Sequence, residues 1–134
     1  MGIYRLGFVE VKCPDLELCA AYYTEVLGLR EVERTDDAVY LKGWDEHDHH
    51  SVVLRAASRY GVEQIGWKTE SLDDLTVYET ALERYGCSVE RLQAGEERAV
   101  GDAIRFESPS GHYMMIYSSM EKVGNSLQIG RAHV

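Results

Sequence analysis

Residues 105–117 read RFESPSGHYMMIY and predict a strand, a tight turn and a second strand. Pro109, Ser110 and Gly111 are residue types that favour turns, because proline presets one backbone angle and glycine accepts left-handed conformations. The apolar and aromatic residues on either side favour extended backbone. This segment therefore predicts a β-hairpin, and it is the last part of a pattern that occurs twice.

The same order of elements occurs in both halves of the chain, with strands indicated by alternation and helices by 3.6-residue spacing. The first half has predicted strands at 5–12, 29–34, 38–43 and 51–55, with a helix from Asp15 to Gly28. The second half has predicted strands at 62–69, 87–92, 99–107 and 113–118, with a helix from Ser71 to Gly86. One helix on a few strands buries little surface alone. We therefore expect two βαβββ halves, about 5–58 and 61–118, in one α+β domain of residues 1–124.

Capping residues and apolar stripes define the two helices. Asp15 is a typical N-cap, and Ser71 followed by Asp74 forms a weaker version of the capping box. Glycine is the usual residue after a helix end, so Gly28 and Gly86 are predicted to end them. The apolar stripe predicted for the first helix contains Leu16, Cys19 or Ala20, Tyr23, and Val26 or Leu27. The apolar stripe predicted for the second helix contains Leu72, Leu75, Tyr78 or Glu79, Leu82 and Tyr85.

Composition excludes several classes of partner and compartment. The chain has 14 Lys and Arg residues against 23 Asp and Glu residues, a net charge of −9. This balance argues against nucleic acid or an anionic membrane as a partner, since both attract basic surfaces. The chain shows neither an apolar run of membrane-spanning length nor a signal-peptide core. The three cysteines, Cys13, Cys19 and Cys87, lack CxxC spacing, which predicts reduced, packed thiols in a cytoplasmic protein.

Four stretches carry a family resemblance: RLGFVEVKCPDLELCAAYYTEVLGLREVER (5–34), VYLKGWDEHDHHSVVLR (39–55), YGCSVERLQAGEE (85–97) and IRFESPSGHYMMIY (104–117). Together they resemble the N-terminal domain of a catechol 2,3-dioxygenase, an extradiol ring-cleaving enzyme of the vicinal oxygen chelate superfamily. That superfamily also contains glyoxalase I and bleomycin-resistance proteins. The YYTEVLGL helix end is common to the whole superfamily, whereas the YLKGWDE and HHSVVLR runs favour the ring-cleaving branch.

The resemblance implies a fold of paired βαβββ modules and an iron-dependent reaction in the parent enzyme. In that family the second domain holds Fe(II) on two histidines and one glutamate, leaving positions for the catecholate oxygens and O₂. The family's ligand positions correspond here to Phe8, Gly66 and Met115. None of these residue types is a hard ligand for Fe(II).

We therefore assign no catalytic, cofactor-binding or metal residue to this chain and expect no cofactor in it. The resemblance implies an N-terminal, non-metal-binding fragment whose partner is a missing C-terminal catalytic module. It also implies a homo-oligomer, and a catecholic small molecule as the substrate of the parent enzyme. An isolated first module is expected to expose an apolar face and to self-associate.

Two other polar features are weighed as ligands. Glu10 lies two residues beyond Phe8 on the same strand face, and a salt-bridged or solvated side chain is favoured over a ligand. His47, His49 and His50 lie in an acidic run, where H-x-H spacing on a strand would place His47 and His49 on one face. The favoured interpretation is a solvated loop or interface turn.

His112 and the two tryptophans are interpreted as structural residues. His112 follows the Ser110–Gly111 turn and is expected to serve that turn or an interface. Trp44 and Trp67 are expected in the core or in a contact between modules, where their large apolar rings are best used.

The C-terminal residues depart from the family pattern. Residues 129–134 read IGRAHV, which is also the translation of ATC-GGA-AGA-GCA-CAC-GTC, a string that resembles a common sequencing adapter. We expect residues 125–134 to be a non-native or disordered tail that follows a truncated reading frame.

Two alternatives to the fragment interpretation remain open. The chain would act as a stand-alone dimeric ligand-binding module of the bleomycin-resistance type, or as a single-module metalloenzyme of the glyoxalase type. The lack of metal-binding side chains at Phe8, Gly66 and Met115 argues against the metalloenzyme. The long match to the ring-cleaving branch argues against the binding module.

Overall fold

The structure is a computed structural model that describes residues 2–123. Its elements are β1 (Ile3–Cys13), α1 (Leu16–Ala21) continued by a π-helical turn (Tyr22–Val26), β2 (Arg30–Arg34), β3 (Ala38–Lys42), β4 (Val52–Ala56), β5 (Gly61–Thr69), α2 (Asp73–Tyr85), β6 (Val89–Leu92), β7 (Ala103–Glu107) and β8 (Tyr113–Tyr117). The strand–helix–three-strand order occurs twice, so the predicted α+β class is confirmed. Neither helix of the described region has the length and apolar character needed to cross a bilayer.

The chain divides into two compact units. Among the described residues, unit 1 contains 2–8 and 63–121, and unit 2 contains 9–62 and 122–123. The division falls inside β1, between Phe8 and Val9, so one continuous strand supplies residues to both units. The predicted tail, residues 125–134, lies outside the described residues.

Unit 2 is built on strands β2, β3, β4 and the second part of β1. The β2–β3 and β3–β4 pairs are antiparallel, and β4 pairs in parallel with Val9–Cys13 of β1. The Asp15 carboxylate accepts a hydrogen bond from the backbone N–H of Leu18 at 3.1 Å, as expected for an N-cap. The core between α1 and the strands contains Cys13, Ala20, Val39, Leu41 and Leu54.

The end of α1 differs from the predicted stripe. The N–H of Leu27 donates to the carbonyl of Tyr22, which is π-helical spacing and inserts one residue into the turn. Val26 and Leu27 are consequently 67% and 53% exposed, and Leu29 packs on the core instead. The prediction that Val26 or Leu27 continues the buried stripe is therefore wrong. The predicted stop is present, since Gly28 has a φ of +78°.

Unit 1 contains α2, the strands β5 to β8 and the first part of β1. β5 pairs in parallel with β8, while β8–β7 and β7–β6 are antiparallel. Leu75 of α2 packs on Ile104 and Ile116, with Trp67, Tyr78 and Leu82 around them. Leu72 and Tyr85, at the two ends of the predicted stripe, are exposed, so the buried part of the stripe is shorter than predicted.

The predicted turn between β7 and β8 is confirmed. The N–H of Ser108 donates to the carbonyl of His112, and Gly111 has a φ of +84°. The strand predicted from residue 99 begins only at Ala103. Ala99 has a φ of +69°, a conformation that interrupts extended backbone.

Candidate functional site

Unit 1 brings together the three positions that correspond to the family's metal ligands. Gly66 of β5 and Met115 of β8 are direct partners in the parallel register. The ring of Phe8 lies against Gly66, since its Cε2 atom is 2.2 Å from the place where a Cβ on Gly66 would stand. Phe8 is 1% exposed and Met115 is fully buried. Residues far apart in sequence thus converge at one place.

The convergence produces an apolar cluster, which we call the Phe8 cluster. Its members are Phe8, Leu92, Ala99, Val100, Ala103, Met115, Tyr117 and Met120. The Phe8 and Tyr117 rings have centroids 5.7 Å apart and are tilted by 43°. Full burial of a side chain such as Phe8 stabilises a fold by about 1.5–3 kcal/mol. The side chains at the three family ligand positions, Phe8, Gly66 and Met115, carry no nitrogen or oxygen atom.

The residues of the Phe8 cluster do not fit an iron or manganese ion. Phenylalanine and glycine have no donor side chain, and a thioether prefers softer metals. Within residues 2–123, moreover, no group of three His, Cys, Asp or Glu side chains is arranged to hold a metal. The three positions therefore offer no donor set that could hold such an ion for a reaction.

Glu10 forms an ion pair. Its Oε2 atom accepts a hydrogen bond from Nε of Arg55 at 3.0 Å, and the same guanidinium lies 3.3 Å from Oδ2 of Asp37. Glu10 is only 4% exposed, so its charge depends on such partners. The hydroxyl of Thr35, and then the guanidinium of Arg55, hold the pKa of Asp37 below its usual value. We call Glu10, Asp37 and Arg55 the Glu10 network.

The histidine run was expected to be a solvated loop or an interface turn, and the solvated loop is contradicted for two of its three histidines. His49 and His50 are 3% and 1% exposed, and only His47 faces solvent. Their Nδ1 atoms are 2.9 Å apart, and Nε2 of His49 is 3.0 Å from the Glu33 carboxylate. The ring of Tyr40 packs on both imidazoles, with centroids 5.7 and 5.0 Å away.

Burial of this pair is possible because the imidazoles find hydrogen-bonding and aromatic partners. Sequence reasoning missed it because Glu33, on β2, is 16 positions away from His49. The disfavoured alternative, a shared face of His47 and His49, is contradicted as well, since His47 is exposed and His49 is buried.

The remaining structural assignments have mixed outcomes. Nδ1 of His112 lies 3.0 Å from the Ser110 hydroxyl, so His112 serves the turn as expected. Trp67 packs in unit 1 and donates to the sulfur of Met114 at 3.2 Å. Trp44 is 55% exposed, so it is not a core residue.

The cysteines are free thiols, and one of them is deeply buried. Cys13 is buried, whereas Cys19 and Cys87 are partly buried. Burial, and then the neighbouring Cys19 thiol, raise the pKa of Cys13 to about 12. Its thiolate is therefore scarce at neutral pH, which makes it a poor nucleophile or metal ligand.

Comparisons with known proteins agree with the resemblance. The model of the catechol 2,3-dioxygenase-like N-terminal domain matches residues 62–121. A metapyrocatechase from Pseudomonas sp. (strain CF600) is 40% identical over 92% of this chain and 40% of its own length. A manganese-dependent 2,3-dihydroxybiphenyl 1,2-dioxygenase from Geobacillus genomosp. 3 is 32% identical over 90% of this chain and 38% of its own length.

The fold comparison gives the same family. The crystal structure of a 2,3-dioxygenase from Pseudomonas sp. KL28 superposes with a TM-score of 0.88 and 37% identity, covering 93% of this chain and 44% of that one. The inferred likeness to the N-terminal domain of extradiol dioxygenases, and the vicinal oxygen chelate fold class, are therefore confirmed. The chain spans about two fifths of the length of the curated relatives it matches.

Proposed function

We propose that this chain, which is similar to the N-terminal domain of extradiol dioxygenases, is the non-metal-binding module of a catechol-cleaving enzyme. In the parent enzyme, Fe(II) and O₂ would open a catecholic ring beside its two hydroxyl groups, as a step in aromatic degradation. The reaction would take place in a second module, and this chain alone would be inactive. The relation to enzymes more than twice its length supports this division.

The single observation that carries the proposal is the Phe8 cluster. A module that held the metal would need three hard donors at the positions of Phe8, Gly66 and Met115. This module has a buried ring, a glycine and a buried thioether there instead. We propose that this module packs against the catalytic module and stabilises it. The catalytic module would supply the metal ligands.

The proposal also concerns partners and compartment. Leu18, Tyr22 and Val26 recur every four residues along α1 and the π-helical turn, and they are 65%, 51% and 67% exposed. Exposed apolar side chains in such a row mark surfaces that associate. We propose that the isolated chain self-associates, that its natural partner is the catalytic module, and that it works in the reducing cytoplasm. Light scattering tests the first point, and a monodisperse monomer would contradict it.

A domain exchange tests the proposed function. Residues 2–123 replace the matching N-terminal segment of the metapyrocatechase from Pseudomonas sp. (strain CF600), and the chimera is compared with the isolated chain. Both receive Fe(II), catechol and O₂, and the yellow ring-fission product is followed by absorbance. We expect product from the chimera and none from the isolated chain.

Two outcomes contradict the proposal. Product from the isolated chain would show that it holds its own metal site. A folded chimera that binds iron but gives no product would show that this module does not support catalysis. A chimera carrying Leu6→Ala serves as a control for substitution in β1. It should still give product, since Leu6 is 53% exposed.

A further inference from the structure

Unit 2 contains two cations directly opposite each other on neighbouring strands. Arg30 of β2 and Lys42 of β3 are register partners in the antiparallel pair. Side chains at such positions point to the same face, with Cβ atoms about 4.5–5.5 Å apart. Like charges at that spacing repel each other, so the arrangement is unfavourable unless a negative charge lies between them.

Lys42 makes this arrangement unusual because it is 1% exposed. Its ammonium donates to the carbonyl oxygens of Gly43 at 3.2 Å and of Glu46 at 2.9 Å. An ammonium has three N–H donors, so these two bonds leave one donor available. Burial, and then the nearby charge of Arg30, lower the pKa of Lys42, while Glu46 and Asp45 act more weakly in the opposite direction.

No carboxylate within residues 2–123 forms an ion pair with either cation. Glu31 is the acidic residue nearest in sequence to Arg30, and its carboxylate is held by Arg34 through two bonds of 2.9 Å. The described chain therefore gives the Arg30–Lys42 pair no ion-pair contact, and the charges of Glu46 and Asp45 offset the repulsion only in part.

A cavity lies at this pair. It has a volume of about 200 Å³ and is lined by Arg30, Glu31, Val32, Lys42 and Val123. Since a liquid water occupies about 30 Å³, the space admits a group of several heavy atoms. Arginine offers a planar fork of donors and lysine a compact point charge, a combination suited to oxygen anions.

We propose that this cavity, between Arg30 and Lys42, is a binding site for a small oxyanion: a carboxylate or phosphate group. The anion would accept the remaining N–H of Lys42 and the guanidinium N–H groups of Arg30, with Val32 and Val123 as apolar walls. The proposal is independent of the proposed dioxygenase role, because all its residues belong to unit 2, whereas Phe8, Gly66 and Met115 belong to unit 1.

The test uses the full chain, labelled with ¹⁵N, and titrates it separately with inorganic phosphate and with acetate. Sodium chloride at matched ionic strength is the blank. We expect saturable shifts of the amide signals around residues 30–32 and 42–46 with at least one oxyanion and not with chloride. The response to phosphate against acetate identifies which anion the site prefers.

Two variants and one control make the test decisive. Arg30→Gln and Lys42→Met should each weaken binding by about tenfold or more, the loss expected for one charge-assisted hydrogen bond. Arg59→Gln is the matched control, since Arg59 is an exposed arginine of the same unit. It should bind as the parent chain does.

The proposal is overturned by shifts that do not saturate, by shifts equal to those in chloride, or by binding that Arg30→Gln leaves unchanged. If Lys42→Met fails to fold, Arg30→Gln still decides the matter, because Arg30 is exposed on β2 and the described structure gives its side chain no hydrogen bond that the substitution would remove.

Discussion

Phe8 and Glu10 are two residues apart on one strand and on one face of it, yet their surroundings are opposite. Phe8 lies in the apolar cluster of unit 1, and Glu10 lies in the ion-pair network of unit 2. The neighbouring strands decide the difference: β5 and β8 present Gly66 and Met115, whereas β4 contributes Arg55. Strand alternation alone therefore says which residues share a face, and not what that face is made of.

The two regions also rest on different physics. The Phe8 cluster is stabilised by apolar burial, which has no directional requirement and responds weakly to salt. The Glu10 network must offset the cost of removing charges from water, so its value depends on keeping both signs together. Variants at matched positions should separate these two kinds of stabilisation.

The largest expected effect is at the centre of the Phe8 cluster. Phe8→Ala should lower the free energy of unfolding by about 3–5 kcal/mol, because it removes a buried ring and leaves a cavity. Leu6→Ala, on the same strand face but 53% exposed, should cost far less. Urea denaturation measures both, and equal losses would show that the Phe8 ring is not a core element.

The Glu10 network should respond unequally to loss of its two members. Arg55→Met should cost about 2–3 kcal/mol, because the Glu10 carboxylate, which is 5% exposed, loses the guanidinium that lies 3.0 Å from it. Glu10→Gln should cost less, since the Arg55 side chain is 28% exposed and keeps its contact with Asp37.

Denaturant midpoints of the two variants, taken in one buffer, measure this asymmetry. The double variant should lose less than the sum of the two single losses, as neighbours in one network do. Additive losses would mean that Glu10 and Arg55 are stabilised separately.

Gly66 tests how tightly the Phe8 cluster is packed. Gly66→Ala should destabilise the chain by about 1–3 kcal/mol, because the new Cβ overlaps the Phe8 ring. In a Phe8→Leu background the same change should cost less. Gly43→Ala is the control, since its nearest contact would be an ordinary 3.7 Å. A penalty that is independent of the residue at position 8 would contradict the packing described here.

The smallest effect concerns acid stability in unit 1. The N–H of Gly2, followed by the groups of Ser71, holds the pKa of Asp74 below its usual value. Its contribution is therefore present above the ordinary aspartate pKa of about 3.9 and is lost as the pH falls through the lower folded value. Asp74→Asn should flatten the fall of the melting temperature below about pH 4. An unchanged slope would place the acid sensitivity elsewhere, for instance in the Glu10 network.

Much of the fold could be predicted from the sequence because its signals are local. The Asp15 cap, the left-handed Gly28 and Gly86, and the Pro109–Gly111 turn each act through their immediate neighbours. The π-helical turn could not be predicted in this way. Its extra residue leaves Val26 and Leu27 exposed, although their spacing in the sequence continues the apolar stripe of the helix.

The site was less predictable because its contacts are remote in sequence. The resemblance located Phe8, Gly66 and Met115, but only the structure shows the ring of Phe8 over Gly66. His49 was expected in a solvated loop or interface turn because its sequence neighbours are acidic. In the structure it is buried, and it contacts the carboxylate of Glu33 on another strand. Local composition carries no information about such a partner.

The close approach of Phe8 to Gly66 has a consequence for the history of this domain. Any ancestor that exchanged a metal-binding site for this packing, or the reverse, had to change position 8 and position 66 in a particular order. While the ring is present, a histidine at position 66 has no room for its first carbon. The ring must shrink first, and that intermediate has neither a filled core nor a complete ligand set. A change between the two forms therefore passes through a form that is less well packed than the present one.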